Sequence, residues 1–301
     1  MNMNARLIKN FCSTGFLLIL MLLTYSCGTD KKQETSSDEF NEAASEIKEK
    51  VEAIIYEIPS PSEIPFIIQS TGAEFIPQLV NDLDKYEKYT SSTKVAAMNL
   101  GVYASDIGYL VTYEKVQEAL NYMDGCLNIG ESLGLQSTID VSIIEKFEAN
   151  LGNKDTLAVI INDAINKSDS YLKENERNNI AALVIAGTFI EGLYIATQIV
   201  DSYPKDMLSN DERNLILTPL IRIVLEQETA LTNMISLLNS IDNKGDWIEG
   251  MINSMKELKS NYEELDIDQL LNENKGNVVL SDKVLERITV QVRKIRSTVT
   301  Y

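Results

Sequence analysis

The sequence predicts an all-α protein, a bundle of about ten helices, and three observations lead to this fold class. Apolar residues recur with the 3.6-residue period of a helix in one segment after another, and no stretch alternates convincingly as a strand would. The 301 residues include only 14 Gly and 6 Pro, few for a protein built on β-turns. Residues 178–201 form one long apolar run. Such a run predicts a helix with neighbours on several sides, at the centre of the bundle.

The polar residues of this central run are confined to a narrow stripe. Leu183, Phe189 and Val200 lie on the broad apolar face, whereas Glu191 and Gln198 fall on the opposite side. The run is also long enough to span a membrane. Because Glu191 lies near its middle and amphipathic segments surround it in the sequence, we expect a core helix instead.

Residues 1–26 are predicted to be a lipoprotein signal peptide. A basic start with Arg6 and Lys9 precedes the apolar core Phe16–Leu23, which is too short to span a bilayer. The following Thr-Tyr-Ser-Cys-Gly resembles a bacterial lipobox, in which a small residue precedes the lipidated cysteine. The resemblance implies cleavage before Cys27, its diacylation and attachment to the membrane. Gly28 favours the outer membrane by analogy with sorting patterns. The alternative is an ordinary secretory signal with an incidental cysteine.

The rest of the chain divides into a polar tether, 27–38, and one helical domain, 39–301. A stiff loop, Pro59–Pro65, interrupts the first helices, because each proline restricts the residue before it. Pro219 is expected to kink the longest helix. The expected helices are Phe40–Tyr56, Pro65–Thr71, Pro77–Tyr86, Ser91–Tyr113, Glu114–Leu133, Ile139–Asn150, Thr156–Asn175, Asn178–Asp201, Asp211–Ile241, Asp246–Leu265 and Ser281–Thr298.

Small residues give the helix Ser91–Tyr113 a smooth ridge, on which Gly101 and Gly108 should let another helix approach closely. The stretch Val95–Tyr103 also resembles Ile180–Phe189 in sequence. An internal duplication of about 91–175 and 177–265 would explain the similarity, as would two core helices converging on one pattern. Stacked helical hairpins are similar to tetratricopeptide arrays only by analogy, because the 34-residue period is missing.

The composition excludes several kinds of chemistry. The chain has no His, which excludes Ser-His-Asp and Cys-His nucleophile systems and zinc sites with imidazole ligands. Of its three cysteines, Cys12 and Cys27 belong to the export segment, so no internal disulfide is expected and Cys126 is predicted to be a small buried hydrophobe. A net charge of −18 repels phosphate backbones, so we expect no nucleic-acid partner.

The candidate site residues lie on the helix Ser91–Tyr113 and on the central run. Asp106 shares a helix face with Tyr103, Tyr109 and Tyr113, where it could line a pocket or accept phenolic hydrogen bonds as a structural group. Glu191 could face the same cavity and form a pair of carboxylates, or it could be a satisfied core residue. We expect no metal and no cofactor, since the stretches 242–246 and 272–276 depart from calcium-loop spacing.

The segments Tyr56–Pro61 and Asn99–Asp106 resemble a family of Gram-negative bacterial lipoproteins of unknown function. The resemblance would extend over most of the mature chain. It implies export and a helical architecture, and it transfers no site residue.

These observations favour a non-catalytic binding or scaffolding module for another envelope protein. Tyr103 and Tyr109, together with the Pro59–Pro65 loop, are expected to form its contact surface. A carrier with a small-molecule or lipid pocket between helices is the second hypothesis, and a carboxylate-based enzyme the third. A deep apolar cavity beside Asp106 would favour the carrier, whereas a solid core with an exposed groove would favour the scaffold.

Overall fold

A computed structural model describes residues 63–174, 177–202, 210–265 and 283–301 of the chain. Within these ranges the protein is an all-α, multi-helix bundle with no strand, as the sequence predicts. The expected signal peptide, the tether and the helix Phe40–Tyr56 lie outside the described residues, as do residues 59–62 of the expected loop Pro59–Pro65. The last three residues of that loop are helical, because the first described helix begins at Glu63.

The helices follow the predicted order, and their bounds are close to those expected. They are α1 (Glu63–Ser70), α2 (Tyr86–Tyr89), α3 (Thr93–Thr112), α4 (Val116–Ser132), α5 (Val141–Glu148), α6 (Lys154–Glu174), α7 (Asn178–Ser202), α8 (Asn210–Leu225), α9 (Glu228–Asn239), α10 (Gly245–Glu263) and α11 (Lys283–Val299). Short 3₁₀ turns at Pro77–Leu79 and Leu83–Lys85 precede α2.

Two predicted helices are divided in the structure. The expected helix Pro77–Tyr86 breaks at Asp82, whose extended backbone and side-chain bond to the Asp84 N–H begin a new turn. The expected helix Asp211–Ile241 divides into α8 and α9, and Pro219 lies inside α8. The break comes at Gln227, whose side-chain amide donates to the Ile223 carbonyl at 3.1 Å. An uninterrupted helix would pair that carbonyl with the Gln227 N–H, which bonds to Val224 instead.

Helices α3 and α7 cross at two glycines, which brings their backbones into contact. A Cβ atom on Gly101 would lie 2.0 Å from the carbonyl oxygen of Val184. A Cβ atom on Gly187 would lie 1.8 Å from the carbonyl oxygen of Met98. The prediction of a close helix crossing at Gly101 is therefore confirmed. Each glycine meets the carbonyl three residues before the other, a reciprocity that both duplication and convergence would produce, so the duplication stays a prediction.

Helix α7 is the central element of the described bundle. It packs against α3 along much of its length and also contacts α1, α6, α8, α9 and α11. It is long and apolar enough to span a membrane, but 83% of its most apolar 18-residue stretch is buried inside the bundle. A core helix passes the same test of length and composition, so this burial agrees with the core position expected from Glu191.

Candidate functional site

Asp106 of α3 and Glu191 of α7 meet just beyond the glycine crossing, and Arg296 of α11 joins them. We call these three residues the central cluster. Both carboxyl groups are completely buried, and the Arg296 side chain is 16% exposed. Arg296 Nε donates to Glu191 Oε2 at 3.0 Å and Nη2 donates to Oε1 at 2.9 Å. This paired geometry is the strong form of an arginine–carboxylate contact.

The environment of Asp106 indicates that its carboxyl group is protonated. Its Oδ2 accepts a hydrogen bond from the Asn81 backbone N–H at 3.0 Å. Its Oδ1 has no N–H or O–H partner among the described residues, yet the carboxyl lies within hydrogen-bonding reach of Glu191. Burial, and then the charge of Glu191, raise the pKa of Asp106 well above its ordinary value, against the opposing effects of Arg296 and Asn81. A proton on Asp106 lets its carboxyl group donate a hydrogen bond to Glu191.

Arg296 remains the cation of this arrangement. Burial acts to lower its pKa, but the Glu191 carboxylate raises it above the ordinary arginine value. The guanidinium carbon also lies 4.3 Å from the centroid of the Tyr194 ring, a cation–π geometry. With Asp106 protonated, the central cluster contains one negative and one positive charge and is neutral.

Asn81 connects the central cluster to a group of buried tyrosines. Its side-chain amide donates to the Tyr89 hydroxyl at 3.1 Å, and its backbone carbonyl accepts a hydrogen bond from the Tyr122 hydroxyl. The Tyr103 hydroxyl donates to the Asp82 carbonyl at 2.7 Å. Burial raises the pKa of Tyr103, so this donor keeps its proton at neutral pH. The network attaches the segment before α2 to α3 and α4.

Tyr109 and Tyr113 form a second, separate group further along α3. The Tyr109 hydroxyl accepts from the Ile76 N–H at 2.9 Å, and the Tyr113 hydroxyl donates to the Ala73 carbonyl at 2.8 Å. Both rings contact Phe75. Burial raises the pKa of Tyr109 to about 12. These contacts satisfy backbone groups of the loop after α1 and therefore have a structural role.

The expected contact surface on α3 is wrong in the part that the structure describes. Tyr103 and Tyr109 are completely buried, as is Asp106, and Tyr113 is only partly exposed. The physical reason is that the loop segment 73–82 lies over this face of α3, and the phenolic hydroxyls bind its backbone. The sequence left open whether Asp106 and Glu191 form a pair or whether Glu191 is a separate core residue; the two carboxyl groups are in contact, as a buried pair in the core.

Sequence reasoning missed Arg296 and Asn81. For Arg296 the pattern of α11 carries a signal. The apolar stripe of that helix contains Val292 and Ile295, and Arg296 follows Val292 by one turn, on the edge of the buried face. A basic residue at that position needs a buried acid. The role of Asn81 has no comparable signal, because its backbone N–H is its main contact with the cluster.

Two recesses of contrasting character lie elsewhere on the described residues. An apolar cavity of about 50 Å³ lies between α4, α5 and α6, with Ala104 and Ile107 of α3 in its wall; Asp106 does not line it. Cys126 also lines this apolar cavity, and burial raises the pKa of its thiol, as expected for an unreactive small hydrophobe. An open groove of about 690 Å³ runs between α10 and α11.

No protein-family model, curated protein or solved structure matches this chain. Within the described ranges, no group of three or more acidic or cysteine side chains is placed to hold a metal ion. What the site can do therefore has to be argued from its own geometry. The central cluster can store one proton and join three helices, and the complete burial of its two carboxyl groups leaves no opening to them in the described structure.

Proposed function

We propose that this chain is a lipid-anchored protein of the cell envelope, held in the outer membrane through Cys27. Its helical domain acts as a non-catalytic binding or scaffolding module for another envelope protein. One observation carries the proposal: Asp106 and Glu191 are buried in the core, whereas a groove of about 690 Å³ is open at the surface of the described residues. Helical layers commonly bind polypeptide segments in grooves of this kind.

The chemistry of the open groove suits a polypeptide partner. Its walls carry acidic, basic, amide and apolar side chains, and Val290 in the groove is 52% exposed. Arg287 forms an ion pair with Glu264 at the edge, and Gln291 donates to Glu257 at 2.9 Å. The lining residues are Glu257, Ser260, Asn261, Glu286, Arg287, Val290 and Gln291. Mixed polar walls around an exposed apolar position are typical of transient protein contacts.

Site-specific crosslinking in intact cells tests this proposal. A photo-reactive amino acid at Val290 should capture one defined envelope protein. The same residue at Val159, which is 56% exposed on α6, is the matched control and should not. Capture should also be lost with Cys27→Ser, because the unanchored chain is no longer held beside its partner. Equal capture from Val290 and Val159, or none from either, would contradict the assignment of the groove.

The apolar cavity between α4, α5 and α6 is the observation that favours a carrier as second candidate. Its volume of about 50 Å³ is far below the ~300–1,000 Å³ typical of ligand pockets. A carrier would therefore need α5 to move. An apolar molecule that co-purifies with the chain, and that the cavity-filling Ala164→Leu removes, would support this alternative. A carboxylate-based enzyme stands third, because burial closes the carboxyl pair that would act in it.

A further inference from the structure

We propose that the central cluster is a proton-operated lock that holds α11 on the core and loosens when Asp106 gives up its proton. The protonated cluster is neutral and satisfied, and the deprotonated cluster contains two carboxylates against one guanidinium. The lock does not depend on the proposed function. If the open groove binds a partner, the lock would also regulate that site, since α11 forms one of its walls.

The first step of the argument is a count of charges and hydrogen bonds. Arg296 binds both oxygens of Glu191 through Nε and Nη2, at 3.0 and 2.9 Å, and none of the hydrogen bonds among the described residues joins it to Asp106. Asp106 receives one donor, the Asn81 N–H, on Oδ2, its Oδ1 has no hydrogen-bond partner among the described residues, and its carboxyl group lies within hydrogen-bonding reach of Glu191. Two ionised carboxylates this close in a buried site repel strongly, so one of them has to carry a proton.

The second step concerns the other groups that face the cluster. From α3, α4, α7 and the segment before α3, the neighbours are tyrosines and a buried thiol, and burial raises their pKa values, so they are neutral. Asp82 adds a further negative charge near the tyrosines. Arg293, also on α11, is already bound to Gln198 and Asp201. The neutral neighbours are Tyr89, Tyr103, Tyr122, Cys126 and Tyr194. None of these described groups can neutralise an ionised Asp106.

The third step identifies α11 as the helix that moves when Asp106 loses its proton. Helices α3 and α7 are in backbone contact at Gly101 and Gly187, which leaves them little freedom to separate. Helix α11 meets the cluster through Arg296, whose side chain is the partly exposed member. The carbonyls at and just after its C-terminus each accept one side-chain hydrogen bond from a neighbouring element: Thr298 from Trp247 at 3.3 Å, Val299 from Asn99 at 2.9 Å and Thr300 from Lys85 at 2.8 Å. A charge imbalance at the cluster is therefore relieved most easily by movement of α11 and entry of water.

The direction of the pH effect follows from the position of the Asp106 pKa. The pKa is raised in the folded protein, so the stabilising contribution of the protonated group is complete below the ordinary aspartate pKa. It decreases as the pH rises and is lost once the pH has passed through the raised pKa. Across that window, one proton leaves for each α11 that opens. The opening constant of α11 should therefore rise about tenfold for each pH unit.

Native-state hydrogen exchange of the full chain in detergent tests the lock. After correction for the intrinsic exchange rate, amides of α11 should lose protection as the pH rises, by about tenfold per unit. In Asp106→Asn this pH dependence should disappear. The amide oxygen can accept from Asn81 and the NH₂ group can donate to Glu191, so the variant imitates the protonated state. Equal pH dependence in the wild type and in Asp106→Asn would overturn the proposal.

A second comparison within the wild-type chain keeps the test informative if Asp106→Asn does not fold. Helix α9 lies outside the central cluster, so its corrected protection should not follow the pH dependence of α11. Helices α3 and α7 should also stay protected under conditions in which α11 opens. If α9 and α11 lose protection together, the effect is global unfolding and the lock is refuted.

Discussion

Gly101→Ala tests the close crossing of α3 and α7, on which the rest of the bundle is built. A methyl group at this position would lie 2.0 Å from the Val184 carbonyl oxygen and 2.6 Å from the Thr188 nitrogen. Ordinary contacts of a Cβ atom begin at 3.4 Å, so the two backbones have to move apart by roughly 1 Å or more. Overpacking of this kind costs about 1–3 kcal/mol. Both helices are buried along most of their length, which puts the expected cost at the upper end of that range.

Gly250→Ala is the matched control for this substitution. Gly250 lies within α10 and is exposed, and a Cβ atom there would meet nothing within 4 Å. Alanine in an unobstructed helix interior stabilises by about 0.5–1 kcal/mol relative to glycine. The same chemical change should therefore lower stability at Gly101 and raise it at Gly250. Urea unfolding followed by far-ultraviolet circular dichroism measures both. If Gly101→Ala unfolds at the wild-type midpoint, the backbones do not touch there and the described crossing is incorrect.

Three further predictions follow from the charges and the export signal. Arg296→Met should destabilise by about 3–5 kcal/mol, because Glu191 remains buried without a partner, whereas Arg287→Met at an exposed pair should cost less than about 1 kcal/mol in the same urea assay. Cys27→Ser should abolish acyl labelling and lipoprotein processing; a mutant labelled and cleaved like the wild type would disprove the anchor. Residues 39–301 alone should stay in the aqueous phase on detergent partition and give a helical dichroism spectrum, and retention in the detergent phase would revive the membrane-spanning interpretation of α7.

Much of the helical architecture could be predicted because its signal is local. The 3.6-residue period of apolar residues predicts which segments are helical. The small residues around Gly101 predict a close crossing, but they do not indicate which helix is the partner. The break at Gln227 could not be predicted in this way. It depends on a side-chain amide replacing a backbone N–H, a competition that periodicity does not report. Pro219 was the stronger local signal for a break, and α8 continues through it.

The candidate site was harder to predict because its contacts are distant in sequence. The positions of Asp106 and Glu191 on two similar apolar helices allowed a pairing but did not distinguish it from two separate core residues. Arg296 lies 105 residues beyond Glu191, and the sequence alone does not show that α11 packs beside α7. The tyrosines of α3 were predicted to form a contact surface but are largely buried, for a related reason. Their hydroxyl partners are backbone groups of a loop, such as the Ile76 N–H, and any residue type there except proline would offer the same groups.

The central cluster gives a reason for placing charges inside an otherwise apolar core. Helices α3 and α7 are buried on nearly every side, so neither has an amphipathic face that would set its rotation about its own axis. Buried polar groups can supply that information, because hydrogen bonds are made in one register only. Stability is a weaker explanation, since replacing a whole buried ion cluster with apolar residues is often neutral or stabilising.

Replacing the whole cluster distinguishes these explanations. The triple variant Asp106→Leu/Glu191→Met/Arg296→Met should be far more stable than Arg296→Met alone, because no charge is left unpaired in the core. Its near-ultraviolet dichroism should weaken, and it should bind a hydrophobic dye, because the helices can then adopt several registers. A triple variant with a wild-type near-ultraviolet spectrum and no dye binding would show that the glycine crossing alone fixes the register. The cluster would then have no part in fixing the register, and its remaining role would be to make the opening of α11 depend on pH.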